Sequence, residues 1–510
     1  IPLLPPSSYE GASGGRHSPR TMLNQIASSS LLLILSLSLT ACATRSSKVE
    51  LGEAWPATEP TVNLDTYESV QRRPGQRSDI ALAVAISGGG MRAGNFAAGV
   101  LKALESIQVP GPGGSRSNLL REVDYFSTVS GGGMAAGSYM THLLEYRRQH
   151  PEDASAAGFS FAEREKPTSS GGGRYWRNAL AQNYQSSLVG SFFNPLMMTN
   201  LDRGDILENR LDENVLGLHD GKSLTLRDIF VPKGGGTPQV PYWVANGTAY
   251  ENGAIFPFTP DILTAYHING YNHRLRNRTL KDPYDLPLSV GLKTSASFPV
   301  AIPASTLKSS RDPKNPRLYL LDGGVADNLG IVTALRLLRQ DKAARKLLIV
   351  IDAYNGHTEP FSKEGALPGM IHTALRTTSI SLDSSHQRVR NLLGVVGTQT
   401  SVQYAVIDFH QAVRKQEAAD TTEPAATDSI FPILGAVQSA SKTNDTDMSP
   451  QSVQAVFTQA LGVGTWFKIH PDKQEVLLKA GQNAVYRHDA AATRSGSRLL
   501  PEMERIRSQF

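Results

Sequence analysis

The chain has 510 residues, of which 40% are hydrophobic and 19% charged, with a formal net charge of +5. That length suits one large domain or two ordinary ones, and the apolar content is that of a globular protein. The charge favours contact with anionic lipid but is too diffuse to argue for nucleic acid. The one cysteine, Cys42, excludes a disulfide framework and a cysteine zinc site.

Residues 1–21 read as untranslated sequence or as an extended leader. From Met22 the chain carries a short apolar run, residues 31–39, too short to span a bilayer. Leu39-Thr40-Ala41-Cys42 follows it and resembles the bacterial lipobox, in which the cysteine is acylated and becomes the first residue of the mature chain. The competing reading is an ordinary cleaved signal with a chance cysteine. Residues 23–30 lack the lysine or arginine such leaders normally carry. Ala43 in place of aspartate implies delivery to the outer membrane. Residues 43–78, polar and broken by proline, read as a tether, with Arg72, Arg73 and Arg77 solvated within it.

A catalytic domain is expected over 79–414. Its first strand is the apolar run 80–86, followed by Ser87-Gly88-Gly89-Gly90-Met91-Arg92-Ala93-Gly94 and a helical stretch over 96–104. A second strand over 123–126 leads into Ser127-Thr128-Val129-Ser130-Gly131-Gly132-Gly133 and a helix over 134–146. Residues 151–173 read as a surface loop. Asp205, Glu208 and Asp212 share one helix face, where Arg203 and Arg210 favour a solvated surface over a calcium site. Residues 242–246 read as a strand, and so does 318–321, which runs into Leu321-Asp322-Gly323-Gly324-Val325-Ala326-Asp327-Asn328. Residues 346–351 read as a buried parallel strand ending at Asp352. Residues 415–453 form a low-complexity insertion whose Phe431-Pro432-Ile433-Leu434 patch is a small packed cluster or a lipid contact. Residues 454–490 return to order as a strand and helix, and 491–510 read as a tail. No calcium-loop or zinc-protease spacing occurs, so no metal or cofactor is expected.

The three glycine clusters lie where strands stop in an α/β sheet, which is where such folds assemble their sites. Ser130 would occupy a tight strand-to-helix turn, its hydroxyl at a helix N-terminus and its small neighbours permitting the sharp fold. Attack by a serine on an ester places negative charge on the carbonyl oxygen. Gly88, Gly89 and Gly90 can turn their N–H groups toward that charge, and Arg92 would add charge or hold the loop. Asp322 is the candidate base.

At these residues the chain resembles the patatin-like phospholipase family, over roughly residues 80–485. The family's glycine-rich oxyanion loop resembles Gly88-Gly89-Gly90-Met91-Arg92, and its nucleophile elbow Thr128-Val129-Ser130-Gly131-Gly132. Its Asp-Gly-Gly turn resembles Asp322-Gly323-Gly324, with Asn328 at the following asparagine position. Thr294-Ser295-Ala296-Ser297-Phe298-Pro299 is similar to the family's small-residue segment. Thr128 replaces the first elbow glycine, and Ala93 with Gly94 replaces the glycine after the basic residue. Both variants are closer to the cytosolic phospholipase A2 branch. The resemblance implies a three-layer α/β sandwich with a central, mostly parallel sheet. It also implies a Ser130–Asp322 dyad acting on phospholipid or another lipid ester at a membrane surface.

A solvated aspartate, with a pKa of about 3.9, is a weak base for serine, and burial would raise it. Unless burial lifts it strongly, a dyad should stay active in mild acid. The rival is a triad completed by His357, His372, His386 or His410, with Asp352 competing as the carboxylate. Two other classes stand beside hydrolysis. Gly88 to Ala93 formally satisfies a dinucleotide fingerprint with Glu105 near the acidic position, leaving Ser130 and Asp322 unexplained. A non-catalytic lipoprotein with this fold would be expected to have lost a motif, and none is lost.

Overall fold

Seven apolar residues in succession form β1, Ile80–Ile86, buried along its whole length. A strand with no polar face belongs in the middle of a covered parallel sheet. The computed structural model describes residues 62–67, 72–165, 175–184, 203–218, 222–271, 278–299, 301–311, 314, 317–354, 370–399, 401–408, 455–456, 458–460, 463, 468–487 and 498–510. Cys42, the 415–453 insertion with its Phe431–Leu434 patch, His357, His410 and the His372 side chain lie outside the described residues.

Further along the chain the main sheet gains β2 (Tyr125–Val129), β3 (Tyr242–Ala249), β4 (Ile255–Pro257), β5 (Ile268–Tyr271) and β6 (Arg278–Thr279). It continues with β7 (Ser305–Ser309), β8 (Arg317–Asp322), β9 (Arg345–Asp352) and β10 (Val402–Asp408). Their order is β10-β9-β1-β2-β3-β8-β7-β5-β6, with β4 also paired to β3. The block from β10 to β3 is parallel throughout. Beyond β3 an antiparallel wing begins with β8. The fold is a three-layer α/β sandwich with this parallel block at its centre.

The helices used below are α1 (Gly90–Ser106), α2 (Gly132–Gln149), α3 (Arg203–Leu211), α4 (Leu288–Ser295), α5 (Gly324–Asp327), α6 (Ile331–Gln340), α7 (Met370–Gln399), α8 (Pro471–Asn483) and α9 (Pro501–Arg507). Helix α6 packs over β1, β2 and β9, while α1 packs against α2 and α8. The α1–α8 contact is backbone against backbone: a Cβ on Gly99 would overlap the Leu478 carbonyl, and one on Gly481 the Phe96 carbonyl. Among the described residues no helix is long and apolar enough to cross a membrane.

Four expectations change. Residues 62–67 and 72–77 are part of the folded unit rather than a tether, because Val62, Leu64 and Tyr67 are buried and Arg72 is bidentate on Asp341 at 3.1 Å. Arg73 is likewise buried rather than solvated, donating to the carbonyls of Arg121 and Val123 at 3.0 and 2.7 Å. The tail holds α9, whose Met503 and Ile506 are buried, so 498–510 is packed structure. Asp205, Glu208 and Asp212 are buried rather than exposed, because α3 packs against α4 inside the fold.

Candidate active site

Strand β2 ends at Val129, and the chain turns at Ser130, which holds a left-handed backbone conformation with φ of +50°. A side chain in that region costs on the order of 1 kcal/mol or more, and the surroundings must hold it there. Part of the restraint is the Ser130 N–H, which donates to the Ser295 hydroxyl at 2.8 Å. The rest is close packing. A Cβ on Gly131 would overlap the Gly90 carbonyl, and one on Gly132 would lie 2.5 Å from the Ser87 carbonyl oxygen. The first and second glycine motifs therefore rest on each other with no side chain between. Thr128 fits in the glycine's place because its hydroxyl accepts the buried Trp243 indole N–H at 2.9 Å.

Asp322 reaches the same point from the other side of β3. Val129 pairs with Asn246, and Asp322 pairs antiparallel with Gly247, so Ser130 and Asp322 come level across that strand. The Asp322 carboxylate lies close enough to the Ser130 hydroxyl for that group to favour its charged form, and its Oδ1 accepts the Gly324 N–H at 2.8 Å. Burial raises the Asp322 carboxyl to about 7, outweighing the Gly324 N–H and the nearby Ser130 hydroxyl, which favour its charge. The 294–299 segment binds both partners: Ser297 O accepts the Asp322 N–H at 3.0 Å, and Ser295 O the Gly323 N–H at 3.3 Å. Chain reversal after Asp322 needs glycine, since a Cβ on Gly323 would overlap the Asn246 carbonyl.

The first loop is divided in its roles. Gly88 donates its N–H to the Asn328 carbonyl at 2.9 Å, so it braces the loop instead of facing a substrate. Gly89 (φ +141°) and Gly90 (φ +57°) open α1, and no acceptor for either N–H is found among the described residues. A helix N-terminus leaves such donors free by construction. Arg92 is buried, and backbone carbonyls hold its guanidinium. Its Nε donates to the Ala353 carbonyl at 2.9 Å and its Nη1 to Val463 at 3.1 Å. Burial pulls it down to about 10, opposed by the charge of Asp352.

The family model described as "Patatin-like phospholipase" matches residues 84–335, which contain all three motifs. These residues are a patatin-like phospholipase domain. Membership supports lipid hydrolase activity. Among solved structures, VipD from Legionella pneumophila is similar at 14% identity, covering 80% of this chain and 68% of that one with a TM-score of 0.25. Human GIVD cytosolic phospholipase A2 is similar at 12% identity and a TM-score of 0.32, covering 82% of this chain and 62% of that one. No curated protein matches the chain.

Beside the Ser130 turn of the patatin-like domain lies a small apolar cleft. Gly90 and Gly131 form one wall, with Met134, Tyr184, Leu207, Leu211, Leu292 and Ala296 completing it. The described histidine candidate is engaged elsewhere. His386 lies 3.3 Å from Asp352, which also pairs with Arg390 at 3.0 Å, and its ring stacks on Tyr354 at 4.2 Å between centroids. Burial opposes the charge on Asp352, yet His386 and Arg390 hold its carboxyl below the usual range. Asp352 thus belongs to an ion-pair cluster and not to Ser130. Glu105, which a dinucleotide would need, accepts the N–H groups of Phe161 and Ala162 at 2.6 and 2.8 Å. Among the described residues no group of three or more His, Cys, Asp or Glu is placed to hold a metal.

Proposed function

We propose that the chain hydrolyses acyl esters of glycerophospholipids or their lyso forms, with Ser130 as nucleophile and Asp322 as general base. The observation that carries this is the nearness of Ser130 to a buried carboxylate that burial raises to about 7, beside two glycine N–H groups at a helix start. A base works best when its pKa lies near the working pH. As the Ser130 oxygen attacks the carbonyl carbon, its proton passes to Asp322. The Gly89 and Gly90 N–H groups meet the negative oxygen of the tetrahedral intermediate. Collapse of that intermediate expels the alcohol, which takes the proton back from Asp322. Water then attacks the acyl-serine with Asp322 again as base, and the fatty acid leaves. The apolar cleft against Gly90 and Gly131 suits the acyl chain, because its walls carry no group that would prefer water.

Acylation of Cys42 would hold this chemistry at a membrane, and the residue after it favours the outer one. The deciding experiment combines a fluorophosphonate label with product analysis on defined phospholipids. Label on Ser130, together with release of fatty acid that Ser130→Ala abolishes, is the expected result. Turnover that survives in Ser130→Ala would overturn the assignment.

A further inference from the structure

Helix α5 runs out at Asn328, which is tied to the oxyanion loop by its backbone: the Asn328 carbonyl accepts the Gly88 N–H at 2.9 Å. Its side chain is left over. The residue is half-buried, and among the described residues the side-chain amide makes no hydrogen bond. The start of α6 does not need it, because Asp327 already accepts the N–H groups of Leu329, Gly330 and Val332 at 2.8–2.9 Å.

Two glycines fix where that amide lies. A Cβ on Gly324 would stand 2.7 Å from Asn328 Oδ1 and 3.1 Å from Asp322 Oδ1. One on Gly88 would stand 2.4 Å from Asn328 Oδ1 and 3.4 Å from Ser130 Cβ. Each pair of atoms shares a point, and the two distances to it bound their separation, so Asn328 Oδ1 is within about 6 Å of both the Asp322 carboxylate and Ser130. One water bridges two acceptor oxygens over that span, at about 2.8 Å from each.

Hydrolysis of an acyl-serine needs such a water. Its oxygen must face the acyl carbon on Ser130 while one proton faces Asp322. A single hydrogen bond to Asp322 leaves the water free to swing about that bond. A second acceptor removes the freedom, and orientation of this kind is a large part of what an active site supplies.

We propose that Asn328 positions the deacylating water, an inference that rests on the Ser130–Asp322 assignment. Asn328 Oδ1 accepts one proton of the water and Asp322 takes the other as the water oxygen bonds to the acyl carbon. The tetrahedral intermediate then collapses, the bond from that carbon to the Ser130 oxygen breaks, and the proton on Asp322 returns to Ser130. Water is the only co-reactant. Acylation depends on Asn328 less, because the leaving alcohol is held by the rest of its lipid.

The test is stopped-flow hydrolysis of p-nitrophenyl butyrate by the full-length chain, beside the rate at which a fluorophosphonate labels Ser130. Asn328→Ala should release close to one p-nitrophenol per enzyme in a burst. Its steady rate should then lie about tenfold or more below that of the parent, the worth of one hydrogen bond in the transition state. Its labelling rate should stay near that of the parent, and mass spectrometry of quenched protein should find butyryl-Ser130. Hydroxylamine, a stronger nucleophile that needs less placement, should restore turnover as the hydroxamate. Asn328→Ser, whose hydroxyl falls short of the water, carries the same test if Asn328→Ala does not fold. Turnover and labelling that fall together without a burst would mean that Asn328 only supports the shape of the site, and would overturn the proposal. An unchanged steady rate overturns it equally. A parent whose Ser130 takes no label removes the nucleophile assignment itself, and the proposal with it.

Discussion

At the scale of single residues, the strongest consequence follows from the environment of Asp322. Its buried carboxyl has a pKa of about 7 against an ordinary 3.8, so the fold favours the protonated form while the proposed chemistry needs the charged one. For an acid whose folded pKa is raised, the associated stability is complete below about pH 4 and is lost as pH climbs through 7. Asp322→Asn keeps the shape and removes the charge. It should therefore be inactive yet melt higher than the parent at pH 8, by about 1–4 kcal/mol, with the gap closing toward pH 4. Calorimetric melts at the two pH values check this, and a parent more stable at pH 8 would reject the raised pKa. The acid limb of kcat/KM should fall near pH 7, so the expected tolerance of mild acid gives way, and a pH profile no longer separates a dyad from a histidine triad. Mutation still does: His386→Gln should keep most of its activity, because that ring faces Asp352 and Tyr354. The loop glycines should also part company. Gly89→Ala, forced into φ +141°, should lose about 10²-fold in kcat, whereas Gly88→Ala should lose less, since its N–H serves Asn328. Equal losses would mean that both donors act on substrate. Ser130, Asp322 and the glycines are legible in the sequence because glycine in place of any side chain reports a close approach. Asn246 and Thr248 were not. Thr248 donates to the Asp322 carbonyl at 2.8 Å and Asn246 to Thr128 O at 3.0 Å, but small polar residues on strands carry no signal until the strands are paired.

Among elements, the parallel block was readable from its uninterrupted apolar runs, and β9 forms where Leu347 to Ile351 required burial on both faces. The direction of β8 was not readable. Its exposure alternates, with Leu318 and Leu320 buried and Arg317 and Tyr319 exposed, which is the pattern of an antiparallel strand. Alternation gives a strand and its inner face, but the neighbour and register depend on distant residues. That register is what sets Asp322 level with Ser130. Helix α3 was misread for a related reason: its carboxylates looked like a water-facing surface, and tertiary packing enclosed them. The same helix supplies Leu207 and Leu211 to the apolar cleft, which makes it the element where acyl-chain length should be set. Leu211→Trp would fill that space. Across a series of p-nitrophenyl esters it should reduce kcat/KM for long chains at least tenfold while sparing butyrate, since each buried methylene contributes about 0.8 kcal/mol. A uniform reduction at all lengths would show that the cleft does not hold the chain.

For the whole molecule, the question is how much of the chain the catalytic fold recruits. Val62, Leu64 and Tyr67 enter the core ahead of β1, and Leu500, Met503 and Ile506 enter it at the other extreme. Arg77 and Arg345 hold the final turn through the carbonyls of Phe510 and Gln509. Removing residues 498–510 should therefore cost about 5 kcal/mol or more, the burial of three large apolar side chains, and a truncated chain that melts like the parent would contradict that packing. The folded unit leaves no more than the stretch between Cys42 and Val62 to separate it from the proposed anchor. A fully extended chain of that length reaches at most about 70 Å, so an acylated Cys42 would keep the cleft within reach of the membrane surface. Two or more acyl chains anchor stably where one is marginal. In cells, the parent should then fractionate with membranes, and Cys42→Ser should appear unprocessed or released while its purified form keeps full activity on dispersed lipid. Mass spectrometry of the mature N-terminus reads the modification directly. A soluble parent cut elsewhere would remove the anchor, and hydrolysis by the purified chain would show that the active-site assignment stands without it.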